Sequence, residues 1–99
     1  MYKVKLLECA WHDLDDIIDY HAREVGMVSA RKIAGKILND IGRLEAFPQS
    51  CPLAPYEALA AKNLRALVSG KYTCLYKLEG AMVYVYRIVL SASNYPRYF

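Results

Sequence analysis

Two helical periodicities follow one another between residues 10 and 44 with only about three residues between them, and that spacing limits the folds open to this chain. In the first, Leu14, Ile17, Ile18, His21 and Val25 recur at helical intervals over Ala10–Val25, while Asp15, Asp16, Asp19, Arg23 and Glu24 fall mostly on other faces. Acids crowd its early turns, where the positive end of the helix dipole favours them, and Gly26 is a natural stop. Ser29 can cap the second helix, whose buried stripe is Ala30, Ile33, Ala34, Ile37, Leu38, Ile41 and Leu44. Arg31, Lys32, Lys36, Asp40 and Arg43 lie largely off that stripe, and Phe47-Pro48 ends it. Helices joined so closely form an antiparallel hairpin, and neither can bury its stripe without a further layer.

The rest of the chain supplies that layer. Tyr2–Cys9 alternates as a strand with one partly polar face. After a proline-bearing loop over Gln49–Lys62, three strand patterns follow: Asn63–Val68, Lys71–Leu78 and Ala81–Leu90. Ser69-Gly70 and Glu79-Gly80 are the turns between them, and Ser91–Phe99 is a turn-rich, aromatic tail. The order β-α-α-β-β-β predicts a single α+β domain over residues 1–99, with an antiparallel sheet carrying the N-terminal strand and a C-terminal three-stranded meander. There is no repeat, low-complexity tract or linker.

Composition narrows the function classes. The hydrophobic share of 56% excludes a disordered chain, and no apolar run reaches the roughly 18 residues of a membrane span. The N-terminus alternates charged with apolar side chains and lacks a secretory core, so a cytosolic protein is expected. Cys9, Cys51 and Cys74 are odd in number and widely spaced, which fits reduced thiols, with Cys9 and Cys74 buried in strands, better than a disulfide or zinc framework. The net charge is +3, but residues 1–60 balance to −2 and residues 61–99 to +5. A basic C-terminal part points to a polyanion or an acidic protein partner.

Four stretches, taken in order, resemble the RelE/ParE toxin superfamily over nearly the whole chain. Asp13, Leu14, Ile17 and Tyr20 match a "DL..I..Y" pattern; Ile41-Gly42-Arg43-Leu44 with Phe47-Pro48 matches the end of the family's second helix. Asn63-Leu64-Arg65-Ala66-Leu67 resembles its "R.L" strand, and Tyr72–Tyr76 with Val83–Ile88 resembles its last two strands. The resemblance implies a plasmid-stabilisation type of toxin that stops growth until a cognate antitoxin binds it, with no cofactor and no metal. It also implies one of two targets: RelE-like members cut messenger RNA on the ribosome, and ParE-like members inhibit DNA gyrase without being nucleases.

Metal-free RNA cleavage needs a base for the 2′-hydroxyl, cations at the phosphate and an acid for the leaving oxygen. RelE-like members place an arginine directly after the first tyrosine of the middle meander strand, a histidine at the end of the last strand and a further basic residue just beyond it. This chain has Thr73, Leu90 and, within the stretch after Leu90, Ser93. A hydroxyl cannot do a guanidinium's work on a phosphorane, so the residues favour inhibition by binding, while a ribonuclease with displaced groups and a non-toxic RNA- or protein-binding domain stay open. The candidate target or RNA contacts are Lys62, Arg65, Lys71, Arg87, Tyr95 and Arg97. Arg65 is equally suited to pinning the sheet to a loop, Arg87 to a partly buried ion pair on the face of Val83, Val85 and Val89, and Lys71 to simple solvation. Nine tyrosines invite base stacking, but on alternating strands aromatics ordinarily pack. His12 and His21 fit a polar helix start and the rim of the core. In every reading a groove between the helical hairpin and the sheet receives a disordered antitoxin segment that folds on binding.

Overall fold

In the computed structural model, which describes residues 1–93 and 95, the elements are β1 (Lys3–Leu6), α1 (Glu8–Glu24), α2 (Met27–Gly42), a 3-10 turn (Arg43–Glu45), α3 (Glu57–Ala60), β2 (Arg65–Ser69), β3 (Tyr72–Glu79) and β4 (Met82–Leu90). The four strands form one sheet in the order β1-β4-β3-β2. The meander β2-β3-β4 is antiparallel, and β1 joins its outer edge parallel to β4, so the sheet is mixed. A parallel pairing follows from the connectivity, because the hairpin carries the chain back across the sheet before the meander begins. No helix among the described residues is long and apolar enough to cross a membrane.

The junction between the helices is shorter than expected. Gly26 takes a φ of +134°, a conformation that suits only glycine, and its N–H and that of Val25 both donate to the His21 carbonyl. The Gly26 carbonyl then accepts from Ala30, so α2 starts at Met27 and the Ser29 side chain makes no cap bond. The start of α1 moves too: β1 stops at Leu6, and Cys9, expected in a strand, lies on α1 and is exposed.

Both faces of the sheet are covered. Ala10, Leu14 and Ile17 of α1 and Ala34, Ile37 and Ile41 of α2 pack with Leu44 on Tyr72, Cys74, Tyr76, Val83, Val85 and Ile88. Full burial of each large aliphatic here contributes about 1.5–3 kcal/mol. On the opposite face Ala54, Leu59, Leu64, Leu75, Val89 and Tyr95 form a second cluster under the proline loop and α3. The period-2 pattern of β3 therefore feeds two cores at once, Tyr72, Cys74 and Tyr76 on one side and Leu75 on the other. Cys74 is sealed in, and burial pushes its thiol up to about 12.

A bulge corrects the expected face of Arg87. Tyr76 pairs with Val85 and Leu75 with Arg87, which leaves Tyr86 as an extra residue in β4. Alternation is broken there: Val83, Val85 and Ile88 face the helices, whereas Val89 belongs to the second cluster. The bulge coincides with the end of β1, where the Leu7 N–H donates to the Val85 carbonyl and the chain leaves as α1. Asp13, one and a half turns along, returns to the edge that β1 has vacated. Its carboxylate accepts from Arg87 Nε at 2.7 Å, from a terminal guanidinium nitrogen at 2.9 Å and from the Ile88 N–H at 2.9 Å. One carboxylate so ties α1 to β4 and satisfies an edge donor that no strand reaches.

Asp40 also departs from expectation, because it is only 5% exposed rather than off the buried stripe. It accepts from Ser69 Oγ at 2.7 Å and pairs with Lys36 and Arg43, each at 3.0 Å, joining α2 to the end of β2. The Ser69 hydrogen bond foremost, aided by Lys36 and Arg43, holds its carboxyl below the usual carboxylate range despite burial.

Two outcomes follow from these carboxylates. Asp13→Ala removes both guanidinium hydrogen bonds to that carboxylate and the partner of the Ile88 N–H, and should lower unfolding free energy by roughly 2–4 kcal/mol in urea titrations. Adding Arg87→Met to that variant should restore part of the loss, since the partly buried cation no longer has to be desolvated without its carboxylate. A depressed carboxyl stabilises the fold above its unfolded pKa of about 4, and that contribution is lost as pH falls through the folded value. Asp40→Asn should therefore be less stable than the parent at pH 7, with the gap between the two narrowing below about pH 4 when unfolding is followed by circular dichroism.

Candidate functional site: a groove at the free end of the sheet

Beyond the Asp13 clamp, α1 and the end of β4 diverge. The opening is a groove of about 340 Å³, with Asp16, Ile17, Tyr20 and His21 on the helix side and Ile88 and Leu90 on the strand side. Lys71 and Tyr72, from the turn into β3, close one end. The helical spacing of Asp13, Ile17, Tyr20 and His21 puts all four on the flank of α1 nearest β4, so part of the family-like "DL..I..Y" pattern is the wall of this groove.

Its floor holds one long-range polar contact. His21 Nε2 lies 2.8 Å from the Tyr72 hydroxyl, and the imidazole stands edge-on to Tyr72 and to the neighbouring Tyr20. Burial, then the proximity of Tyr20, raises the Tyr72 phenol, which stays protonated at neutral pH. On the far side of this pair a second recess of about 220 Å³ is bounded by Ile33, Lys36, Gly70 and Lys71. The two spaces meet at His21 and Tyr72, giving a mostly apolar channel with a few polar groups along it, the character of a docking surface.

The residues singled out from the sequence do not converge on this groove. Lys71 does line it, exposed and with no ion pair among the described residues. Arg65 instead donates to the Cys51 carbonyl at 2.6 Å and fastens β2 to the proline loop. Arg87 is held by Asp13. Lys62 is exposed in the turn after α3, the helix whose Leu59 packs on the opposite face of the sheet. Tyr95 is 3% exposed, its ring edge-on to Tyr56 at 4.9 Å, and burial raises its phenol. It is a packing residue of the second core rather than part of an exposed contact tail. Arg97 lies outside the described residues.

The positions at which the resemblance would put catalytic cations are occupied otherwise. Thr73 is buried, with its Oγ1 2.7 Å from Ser91 Oγ. Leu90 is 49% exposed and opens onto the groove. The Ser93 hydroxyl donates back to the Leu90 carbonyl at 2.6 Å, closing the turn after β4. Tyr76, deep in the first core, donates to the Pro48 carbonyl at 2.7 Å, and burial holds its phenol far above the ordinary value.

The groove residues that sequence reasoning undervalued are His21, Tyr20 and Leu90. Helical spacing marked His21 and the family-like pattern marked Tyr20, but nothing local showed that β1 would stop short and leave the end of β4 open beside them.

Comparison with known proteins agrees with this geometry. No curated protein sequence matches the chain. Among solved structures, the fold is similar to a chain of the chromosomal ParDE toxin–antitoxin system from P. aeruginosa, with a TM-score of 0.78 at 22% identity over 91% of this chain and 96% of that one. It is also similar to a chain of the toxin–antitoxin complex RelBE2 from Mycobacterium tuberculosis, with a TM-score of 0.66 at 17% identity, covering 90% and 96%. Residues 4–95 match the family model for the ParE toxin of the parDE type II toxin–antitoxin system, and a match of that extent makes this chain a member of the ParE toxin family.

Proposed function

We propose that this toxin arrests growth by binding and inhibiting DNA gyrase, without cutting RNA, and that a cognate antitoxin silences it in the cytoplasm. The observation that carries the reading is the occupancy of the nuclease positions by Thr73, Leu90 and Ser93. Loss of one cationic contact to a phosphorane typically costs about 3 kcal/mol in transition-state stabilisation, and three such positions here carry none. The surrounding arginines offer no ready substitute, since Arg65 and Arg87 are engaged with Cys51 and Asp13. Tyrosines of the kind that stack on bases are spent on the protein itself, as with Tyr76 on Pro48 and Tyr95 on Tyr56.

A ribosome-dependent ribonuclease is the second reading, and one contact favours it. The His21–Tyr72 pair with Lys71 beside it holds an imidazole, a phenol and a cation in a single groove. A buried phenol with a raised pKa is, however, a poor match to acid–base work at neutral pH.

Purified toxin should inhibit gyrase supercoiling at near-stoichiometric amounts and leave messenger RNA intact in a translating extract. Codon-phased cuts in the message with unimpaired supercoiling would reverse the assignment. Growth unaffected by induced expression would instead favour a non-toxic binding domain of the same fold.

A further inference from the structure

One tyrosine is not engaged by the protein itself. Tyr84 is half-buried, belongs to neither core cluster and has no side-chain hydrogen bond among the described residues. Its neighbours in β4, Val83 and Val85, face the helices, so its ring lies on the other side of the sheet. The same alternation brings three cations to that side. Val4 and Leu6 of β1 pack on the first core, which turns Lys3 and Lys5 outward, and Tyr76 and Leu78 of β3 do so too, which turns Lys77 outward. Register then sets their places. Lys5 pairs with Tyr84 and Tyr84 with Lys77, so one aromatic stands between two cations in a row across three strands. At the usual strand spacing the two lysine Cα atoms are roughly 10 Å apart. Lys3 and Met82 lie in the next row, which ends in Glu79, the one carboxylate that β1, β3 and β4 contribute to this face. Lys3 and Lys5 are exposed, with no ion pair among the described residues, and Lys77 Nζ lies 5.7 Å from the centroid of the Tyr86 ring. The charge split along the chain concealed this surface. β1 belongs to the part that sums to −2, yet its parallel pairing with β4 adds both its lysines to the basic C-terminal strands.

We propose that this row binds single-stranded DNA: one base stacks on Tyr84, the phosphates on either side of it lie against Lys5 and Lys77, and Lys3 holds a further phosphate. An aromatic flanked by cations on an open sheet face meets both needs of an unpaired strand, because every base has a π-face and every link a negative charge. A duplex keeps its bases stacked inside and can use the lysines alone. The choice of DNA over RNA rests on the gyrase reading, whose target works on DNA; the binding of a strand does not depend on it. The row stands apart from the positions at which RelE-like chemistry would sit, since Lys77 is four residues, about 13 Å, along β3 from Thr73. Its lysines position phosphates and carry out no reaction.

The test is fluorescence anisotropy on the purified full-length toxin, with no antitoxin or gyrase present and a labelled strand of about 12 nucleotides. The single strand should bind more tightly than the duplex of the same sequence and at least as tightly as the matching RNA. The slope of log affinity against log salt should be about −2, from three phosphates at roughly 0.7 each. Tyr84→Ala should weaken binding by about tenfold, whereas Tyr84→Phe, which keeps the ring, should stay within about twofold. Lys5→Glu and Lys77→Glu should each cost about fivefold to tenfold, while Lys71→Glu, the same charge change in the groove, should stay within about twofold. Circular dichroism melting checks that each variant is folded. On the unaltered toxin, a strand carrying 5-iododeoxyuridine should crosslink under ultraviolet light at Tyr84, as mapped by peptide mass spectrometry. Absence of binding at low salt overturns the site. So do equal losses from Lys71→Glu and Lys5→Glu, the result expected of net charge alone, a crosslink that maps away from β1, β3 and β4, or a tenfold preference for the duplex or the RNA. Unimpaired supercoiling with the strand still held at Tyr84 would remove the gyrase reading and leave this site in place.

Discussion

The open end of the sheet depends on one carboxylate. Asp13 meets Arg87 through two hydrogen bonds and the Ile88 N–H through a third. The interaction exists because β1 is only four residues long while β4 is nine, so half of β4 would otherwise present bare backbone next to a helix. The bulge at Tyr86 lets Arg87 serve α1 while Ile88 still enters the core, two demands that strict alternation could not meet. A carboxylate with a bidentate arginine and a backbone donor is strongly held, and it fixes how far α1 stands off the strand. The groove is the space left beyond that fixed point.

The same economy appears in the polar contacts that join layers. Asp40 links α2 to β2 through Ser69, Arg65 links β2 to the proline loop, and Tyr76 links β3 to Pro48 from inside the first core. Among the described residues no buried side-chain polar atom lacks a partner. Each of these contacts joins elements distant in sequence, so each restricts which compact arrangements satisfy the chain, beyond what apolar burial alone would select.

The helices, most of their buried stripes, the three meander strands and both turns could be read from the sequence, because a 3.6-residue or two-residue repeat records which face is dry, although Val25 and Leu38, counted on the stripes, are exposed. What could not be read was set by partners far along the chain. Asp40 sits where spacing placed solvent, since only the folded sheet brings Ser69 to it. Ser29 had the chemistry of a cap, but Gly26 supplied a backbone geometry that ended α1 and started α2 without it. Cys9 looked like a strand residue because alternation persists through Leu6 and then stops for a reason located at Val85. Of the residues named from the sequence, Lys71 lines the groove, while Tyr95, chosen for its nearness to the end of the chain, does not. Its ring instead completes the second core against Tyr56.

At the end of the sheet, where the resemblance to RelE-like members would put basic groups, the side chains are integrated into the structure. The Thr73 hydroxyl is buried and bonded to Ser91, so a guanidinium at that position would have to displace the contact and find solvent or a counter-charge in a closed site. Leu90 offers apolar surface where the related chemistry would need a polar group, and it offers that surface to the groove rather than to the opposite face. The groove gains from the substitution what the chemistry loses, since an apolar wall strengthens association and contributes nothing to phosphate charge. With apolar Leu90 on its wall the groove has the character of a docking surface, and the inhibition proposed for this chain then depends on which protein occupies it.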